Sequence, residues 1–429
     1  MKKFLLTLTC ALMFLMTLTT CAAAASSELK ETEMRMICAI CAMGAYSGKD
    51  SNLMRSMITE RGWQIETLSQ KNNRANARAY LFTKGNIKIL TVAGTESLKD
   101  VEVDFRVGRV RLNEDNVADP KAKITKDEIF LHRGFRDYAD VVLGDGLIER
   151  LVTSLKSNPN EKLYLTGHSL GGAVATIAAI RLTDAGIPKD RIKVITFAAP
   201  AVGSQALANA YEDKIDLTRI LMKGDAIKKS LRKFGYVQFG KLLEYEHSEA
   251  SKKHFDHQMS VYLDCAIHDY LKAGGNFRYE AKNKISTPIY VAPILFVKDT
   301  FPASETDFIF DTLNDGLTNH FSKLTFAADK SLEITDKSIL EGDFSEFVDD
   351  AKKHGCKYVL VRVFSAKKIR TVFSAGRRVT LEEIILDDEG LTVSMNTSGA
   401  TTSTLTIFEA ALFAQDALDE NIKDFFKDK

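Results

Sequence analysis

The sequence predicts an α/β fold with a mainly parallel sheet, followed by a smaller α+β domain. Between residues 77 and 222, apolar segments of strand length alternate with helical patterns across short connections, which is typical of a parallel sheet covered by helices. After Gly274-Gly275 the segments become shorter, and antiparallel pairs are expected. The 429 residues leave room for both parts, because one core rarely grows beyond about 300 residues. We place the first domain at residues 26–276, a basic linker at 277–286 and the second domain at 287–429.

Residues 1–25 have the pattern of a secretory signal peptide. Lys2 and Lys3 precede an apolar run from Phe4 to Leu18, and small residues follow, with cleavage expected after Ala25. The run is too short for a stable membrane span. The residues before Cys21 resemble a bacterial lipobox, so attachment of a lipid to Cys21 is the alternative. We therefore expect an exported protein that is secreted, periplasmic or held at the cell envelope.

Composition excludes some classes of function. The net charge of +1 provides no electrostatic footprint for nucleic acid. Cys38 and Cys41 form a C-x-x-C pattern, but it lies within a helical pattern with no strand before it, so we interpret both as buried small residues and not as a redox pair. No histidine and carboxylate cluster has metal-ligand spacing, so neither a metal nor a cofactor is expected.

The elements predicted in the first domain follow one another in a regular order. Helices are expected at 29–47 and 53–62, and strands at 63–68, 77–83, 87–93 and 129–135. A helix extending to residue 157 precedes the central motif, and strands at 192–198 and 217–222 with a helix at 204–215 follow it.

The central motif is a G-x-S-x-G sequence around Ser169. A strand pattern precedes Gly167, and a helix rich in small residues follows Gly171, which is the context of a nucleophile elbow. In such a turn the serine adopts a strained conformation, and its hydroxyl is presented above the sheet beside the positive end of a helix. Ser169 is therefore the candidate nucleophile, and the N–H of Leu170, the next residue, is a candidate oxyanion donor.

A serine hydroxyl needs a histidine as base, and that histidine needs a carboxylate to orient it. In folds with a nucleophile elbow the chain order is serine, acid, histidine. Asp225 is the candidate acid because it follows the strand at 217–222, and the carboxyl ends of strands carry the reactive groups of such sheets. The residues alone leave the base open, because six histidines follow Asp225: His247, His254, His257, His268, His320 and His354.

Several motifs together resemble one family. They are Val92 to Ser97, Asp100 to Asp104, Leu131 to Phe135, Thr166 to Gly172, Thr196 to Pro200, Gly224 to Ile227 and His257 to Leu263. In this order and spacing, residues 34–274 resemble the class 3 lipases, which have the α/β-hydrolase fold. Ala93 stands where that family usually has an arginine.

The resemblance implies roles for further residues. It implies that His257 is the base, with His268 as the alternative, and that Thr95 supplies the second oxyanion donor. It also implies that residues 98–105 occupy the position of a lid, although their acidic residues weaken the continuous apolar face expected of a surface-activated lid.

The C-terminal third carries no cluster of catalytic residue types. Residues 287–429, and Lys353 to Val361 above all, resemble the small α/β domains of bacterial envelope lipoproteins of the curli-secretion and penicillin-binding-protein-activator type. This resemblance implies docking to an envelope partner, with a stabilising appendage as the alternative.

Two hypotheses follow for the whole chain. The first is an exported serine ester hydrolase that acts on lipid or other acyl esters through Ser169, Asp225 and His257, with contact to a membrane surface. The second is a non-catalytic envelope protein that retains the hydrolase fold. The presence of serine, acid and histidine in the required order favours the first.

Overall fold

The computed structural model describes residues 25–68, 78–94, 108–112, 123–144, 146–247, 255–278, 284–296, 303–334, 342–370, 375–401 and 406–427. The predicted signal peptide lies outside these residues except for Ala25, and so do Cys21, Thr95 and the predicted lid at 98–105. Within the described ranges, no helix is both long and apolar enough to cross a membrane.

The first part of the chain is organised around a sheet that has seven strands in the described residues. Their order is β1-β2-β3-β6-β7-β8-β9. The first three strands pair antiparallel, and β3, β6, β7, β8 and β9 pair parallel. The strand bounds are β1 Gln64–Leu68, β2 Ala79–Lys84, β3 Ile87–Val92, β6 Lys162–His168, β7 Ile192–Phe197, β8 Asp216–Met222 and β9 Lys241–Tyr245, while β4 Arg109–Arg111 and β5 Phe130–His132 form a separate pair. The mainly parallel sheet predicted from the sequence is confirmed.

Helices cover both faces of this sheet. They are α1 at 25–44, α2 Lys49–Glu60, α3 Arg133–Val142, α4 Leu147–Ser157, α5 Leu170–Asp184, α6 Gln205–Tyr211 and α7 Met259–Lys272. Successive side chains of a strand point to opposite faces. Ile89 of β3 therefore packs in the cluster formed by α1, α2 and α7, whereas Leu90 packs in the cluster formed by α3, α4 and α5.

Two predicted elements of the first part differ in the structure. The strand expected at 129–135 ends at His132, and α3 begins at once at Arg133. The single helix expected up to residue 157 is two helices, because the chain turns at Gly144 and at Gly146, which has a φ of 76°. A φ in this region favours glycine and ends a right-handed helix.

A second sheet fills the C-terminal third. The long strands β14 Tyr358–Arg370, β15 Ala375–Asp387 and β16 Thr392–Thr401 pair antiparallel, as predicted. On the other edge of β14, β10 Ile289–Val291 and β11 Ile294–Phe296 pair parallel to it, and β12 Leu324–Phe326 and β13 Ser331–Glu333 pair parallel to these. The helices of this part are α8 Ala303–His320, α9 Ser345–Lys353 and α10 Ile407–Phe426. The parallel pairs were not expected from the sequence.

The strands β10 and β11 are separated by a break at Pro293. β10 pairs with β14 at residues 358–360, and β11 pairs with β14 at residues 363–364. Proline has no N–H to donate to a ladder and is excluded from the interior of a paired strand. One edge of β14 is therefore covered by two short strands in succession.

The hydrophobic core is continuous between the two sheets. The cluster that contains Ile40 of α1 and Leu263 of α7 also contains Phe310 of α8, Phe364 of β14 and Phe408 of α10. The two parts of the chain therefore share this cluster, whereas two other clusters contain residues of the C-terminal part alone.

Candidate active site

The G-x-S-x-G segment forms a sharp turn between β6 and α5. Ser169 has φ 54° and ψ −122°, a backbone conformation that residues other than glycine rarely adopt. A Cβ on Gly167 would lie 2.5 Å from the carbonyl carbon of Gly171, and a Cβ on Gly171 would overlap the carbonyl oxygen of Val92. The close approach of α5 to β3 and β6 therefore requires glycine on both sides of the serine.

Three predicted residues meet at the carboxyl ends of the parallel strands. Ser169 follows β6, and Asp225 follows β8 after a short turn. His257 ends a three-residue helical turn, Phe255–His257, just before α7. Its Nε2 lies 3.1 Å from Ser169 Oγ, and its Nδ1 lies 2.8 Å from Asp225 Oδ2. This is the geometry in which an imidazole can take the serine proton while a carboxylate orients it.

The carboxylate of Asp225 is held by two further donors. The N–H of Ile227 donates to Oδ1 at 2.9 Å, and the hydroxyl of Tyr262 donates to Oδ2 at 2.7 Å. The Tyr262 oxygen in turn accepts from the N–H of Met222 at 2.8 Å. Burial, and then the charge of Asp225, raises the pKa of Tyr262 well above 10, so the hydroxyl keeps the proton that it donates.

The sequence did not indicate that Tyr262 bonds the acid. Tyr262 lies on α7, and Asp225 lies 37 residues earlier in the chain. A pattern of residue types within α7 contains no information on which carboxylate its tyrosine reaches.

His268, the alternative base, lies elsewhere. Its Nδ1 is 3.0 Å from Asp264 Oδ1, and its ring stacks on Phe308 of α8 with a centroid distance of 3.4 Å. Asp264 also binds His247 Nε2 at 2.9 Å. The imidazole that reaches Ser169 is that of His257, because His268 lies further along α7, against the C-terminal part of the chain.

The predicted oxyanion donors are only partly described. Leu170 is the first residue of α5, where N–H groups have no acceptor within the helix. Thr95 lies outside the described residues. Gly94, the residue before it, is buried, and a Cβ there would lie 2.6 Å from the carbonyl oxygen of His168. The end of β3 thus lies directly beside the elbow.

The structure also shows the surroundings of His132 and of the two cysteines of the C-x-x-C pattern. His132 is the N-cap of α3, where Nδ1 accepts from the N–H of Phe135, and burial lowers its pKa to about 4. Cys38 and Cys41 are buried free thiols in α1, and burial raises the pKa of Cys38 to about 12. A thiol with so high a pKa is a poor nucleophile, which is consistent with the interpretation as packing residues.

Residues 89–233 match the family model described as lipase (class 3). This segment of the chain is similar to the class 3 lipases. The matched residues include Ser169 and Asp225, and His257 follows them. The α/β-hydrolase fold predicted from the sequence is thereby confirmed.

Individual relatives match over shorter segments. The secreted mono- and diacylglycerol lipase A of Penicillium camembertii is 38% identical over 94 residues, which are 22% of this chain and 30% of that protein. The secreted mono- and diacylglycerol lipase 1 of Fusarium solani is 41% identical over 80 residues, 18% of this chain and 22% of that protein. The chain thus spans less than a third of the length of either fungal relative. A solved structure of Rhizomucor miehei triacylglyceride lipase is 19% identical, with a TM-score of 0.42, over 50% of this chain and 80% of that one.

Proposed function

We propose that this protein is an exported serine ester hydrolase that acts on lipid or other acyl esters. The observation that carries the proposal is the position of the His257 ring, which lies within hydrogen-bonding distance of Ser169 Oγ on one side and Asp225 on the other. Ser169 is the proposed nucleophile, His257 the general base and Asp225 the residue that fixes the tautomer of the base and stabilises its cation.

The reaction follows from these roles. Ser169 Oγ attacks the ester carbonyl carbon while its proton passes to His257 Nε2. The negative charge on the carbonyl oxygen is bound by the N–H groups of Leu170 and, by the family resemblance, Thr95. The alcohol leaves with the proton from His257, and the acyl group remains on Ser169. Water then attacks the acyl carbon while its proton passes to His257. The bond from the acyl carbon to Ser169 Oγ breaks, Oγ takes that proton back from His257, and the acid is released.

The substrate class and the location rest on the relatives and on the N-terminus. The fungal relatives are named as secreted lipases of mono- and diacylglycerols, which favours acyl glycerols as substrates. Residues 1–25 support export, with cleavage after Ala25 proposed and lipid attachment at Cys21 as the alternative. The mass of the protein purified from the exporting cell distinguishes the two processed forms and also detects an uncleaved chain.

The C-terminal third is proposed to stabilise the hydrolase part. Its residues Phe310, Phe364 and Phe408 are buried in the same core as α1 and α7. Such shared packing favours the stabilising role over independent docking to an envelope partner, and that partner remains a prediction from the resemblance.

Hydrolysis of p-nitrophenyl esters of increasing chain length tests the function. Wild type is expected to release p-nitrophenol, and Ser169→Ala is expected to lose roughly 10⁴-fold or more in kcat, since removal of a nucleophile leaves only binding and oxyanion stabilisation. A fluorophosphonate should add to Ser169 of the wild type, as detected by mass spectrometry. Equal rates for wild type and Ser169→Ala would favour the non-catalytic hypothesis.

A matched pair of histidine variants tests the base. His257→Ala is expected to lose activity to a similar extent as Ser169→Ala, whereas His268→Ala should keep the rate of the wild type if it folds. If folded His268→Ala is inactive while His257→Ala remains active, the assignment of His257 as the base is wrong.

A further inference from the structure

The side chain of His168, the residue before the nucleophile, is bonded through both ring nitrogens. Nε2 lies 2.9 Å from the main-chain carbonyl oxygen of His257, and Nδ1 lies 2.7 Å from the hydroxyl of Tyr46. The side chain is buried, and its ring centroid lies 4.9 Å from that of His257. The proposed mechanism does not use His168, although it contacts the base directly.

These bonds define one tautomer of His168. A carbonyl oxygen only accepts, so the Nε2 that faces His257 must carry the proton. In the neutral ring Nδ1 is then an acceptor, and the Tyr46 hydroxyl donates to it. Burial, and then the neighbouring His257, lowers the pKa of His168 well below 6.5. His168 therefore stays neutral when His257 takes up a proton.

The main chain of His257 has little regular structure to hold it. The residue ends a three-residue turn, which is too short to fix its orientation through repeated helical hydrogen bonds. Asp225 binds the ring from the end of β8, and His168 binds the carbonyl from the end of β6. Residues at the ends of two strands thus hold the ring and the main-chain carbonyl group of His257.

Tyr46 connects this contact to the N-terminal helix. It follows α1, whose residues from Met36 to Ala42 are almost entirely buried in the core. A Cβ on Gly94 would overlap the Tyr46 hydroxyl, so the hydroxyl fills the space between the end of β3 and the elbow. The packing of α1 therefore determines where the donor to His168 lies.

We propose that His168 is a positioning residue that holds the main chain of His257 beside Ser169, and that Tyr46 fixes His168 in the required tautomer. This inference rests on the proposed function, because it assigns His257 as the base. It extends the site to Tyr46, which follows α1 and precedes the residues that match the lipase family.

Four variants test the proposal with a short-chain p-nitrophenyl ester as the probe. His168→Leu removes both hydrogen bonds, His168→Gln retains an amide N–H near the position of Nε2, and Tyr46→Phe removes only the hydroxyl. Tyr211→Phe is the matched control, because the Tyr211 hydroxyl also makes a short side-chain bond, to Asp184 at 2.8 Å, away from Ser169. Melting temperatures report any general loss of folding.

The expected result is a loss in kcat with KM nearly unchanged, because His168 acts on the base and not on the substrate. Displacement of a catalytic group by about 1 Å costs roughly 100-fold, so His168→Leu should lower kcat by about 10- to 100-fold. Tyr46→Phe should lower kcat by about 3- to 10-fold, and His168→Gln should recover most of the loss. Tyr211→Phe should keep the wild-type kcat.

Two results would overturn the proposal. One is an unchanged kcat in both Tyr46→Phe and His168→Leu. The other is a kcat in His168→Gln as low as in His168→Leu at equal melting temperature. That result would mean that the loss of activity comes from altered packing and not from the loss of the hydrogen bond that His168 donates. If His168→Leu does not fold, the kcat values of Tyr46→Phe and His168→Gln test the proposal, with wild type and Tyr211→Phe as references.

Nitrogen NMR of histidine-labelled protein separates this proposal from the proposed function. His168 should remain the neutral Nε2–H tautomer at pH 6.5 and above, and the Nδ1–H of His257 should exchange faster with water in Tyr46→Phe than in wild type. An Nδ1–H tautomer of His168, or equal exchange, contradicts the positioning role even if esters are hydrolysed. A wild type that neither hydrolyses esters nor reacts with a fluorophosphonate contradicts the enzyme, whatever the NMR result.

Discussion

The hydroxyl of Tyr262 provides a sharp test of how the acid is held. It donates to Asp225 Oδ2 at 2.7 Å and accepts from the N–H of Met222 at 2.8 Å. The ring is fully buried, with 0% exposure, so water cannot replace the lost partner in Tyr262→Phe. The substitution removes a single oxygen and leaves the packing of the ring in place.

The expected magnitude follows from the two bonds. A hydrogen bond to a charged group contributes about 1.5–3 kcal/mol, and a buried N–H left without an acceptor costs about 1–3 kcal/mol. Tyr262→Phe should therefore destabilise the protein by about 2.5–6 kcal/mol. Because Asp225 keeps Ile227 and His257 as partners but is less constrained, kcat/KM should fall by about tenfold, mainly through kcat.

The measurements are urea denaturation and hydrolysis of a p-nitrophenyl ester. Tyr211→Phe is the control, because its hydroxyl also donates to a carboxylate but Asp184 is exposed and water can replace the lost bond. It should lose less than about 1.5 kcal/mol and keep its kcat/KM. If Tyr262→Phe is no less stable and no less active than Tyr211→Phe, the inference that Tyr262 holds Asp225 is refuted.

Three further predictions concern the acid, the elbow and the second sheet. Asp225→Asn should fold but lose about 10⁴-fold in kcat, since an amide favours the wrong tautomer of His257; a rate near that of the wild type would argue against the role of the acid. Gly171→Ala should fail to give soluble, folded protein because its Cβ would overlap the Val92 carbonyl oxygen. Gly186→Ala should fold with a small loss of melting temperature, because no atom lies within 4 Å of the added Cβ. Two folded proteins of equal stability would contradict this reasoning. Burial raises the pKa of Glu383 from 4.5 to about 8. Between these pH values the folded state therefore binds more protons than the unfolded state. The contribution of Glu383 to the free energy of unfolding consequently falls as the pH rises. Glu383→Gln should therefore gain melting temperature relative to wild type between pH 5 and pH 8, and parallel curves would show that Glu383 does not titrate in this way.

The positions of the proposed triad residues could be predicted because each is marked by a local pattern. Ser169 lies in a turn that only glycine neighbours permit, and Asp225 follows a buried strand. The choice between His257 and His268 could not be made from the residue types alone, because the two lie about three helical turns apart and each has an aspartate near it. The family resemblance favoured His257, and the packing of α7 brings its ring to Ser169.

The partners of these residues could not be predicted. Tyr46 is separated from His168 by 122 positions, and Tyr262 from Asp225 by 37. Contacts over such separations depend on how helices pack on the sheet, and a single sequence contains no local signal for them. The parallel pairs of β10 and β11 with β14 are of the same kind, because strands of three residues have too little pattern to reveal their neighbours.

Features that arise from short-range sterics and from the alternation of apolar residues can be predicted from the sequence. These are six of the seven strands described in the first sheet, all but β9, together with the turn around Ser169 and the glycines that this turn requires. Packing in three dimensions determines which imidazole lies beside Ser169, which groups hold that imidazole, and that both parts of the chain contribute to one hydrophobic cluster. A turn depends on the atoms of neighbouring residues, whereas contacts between residues far apart in the chain depend on how the helices and strands pack together.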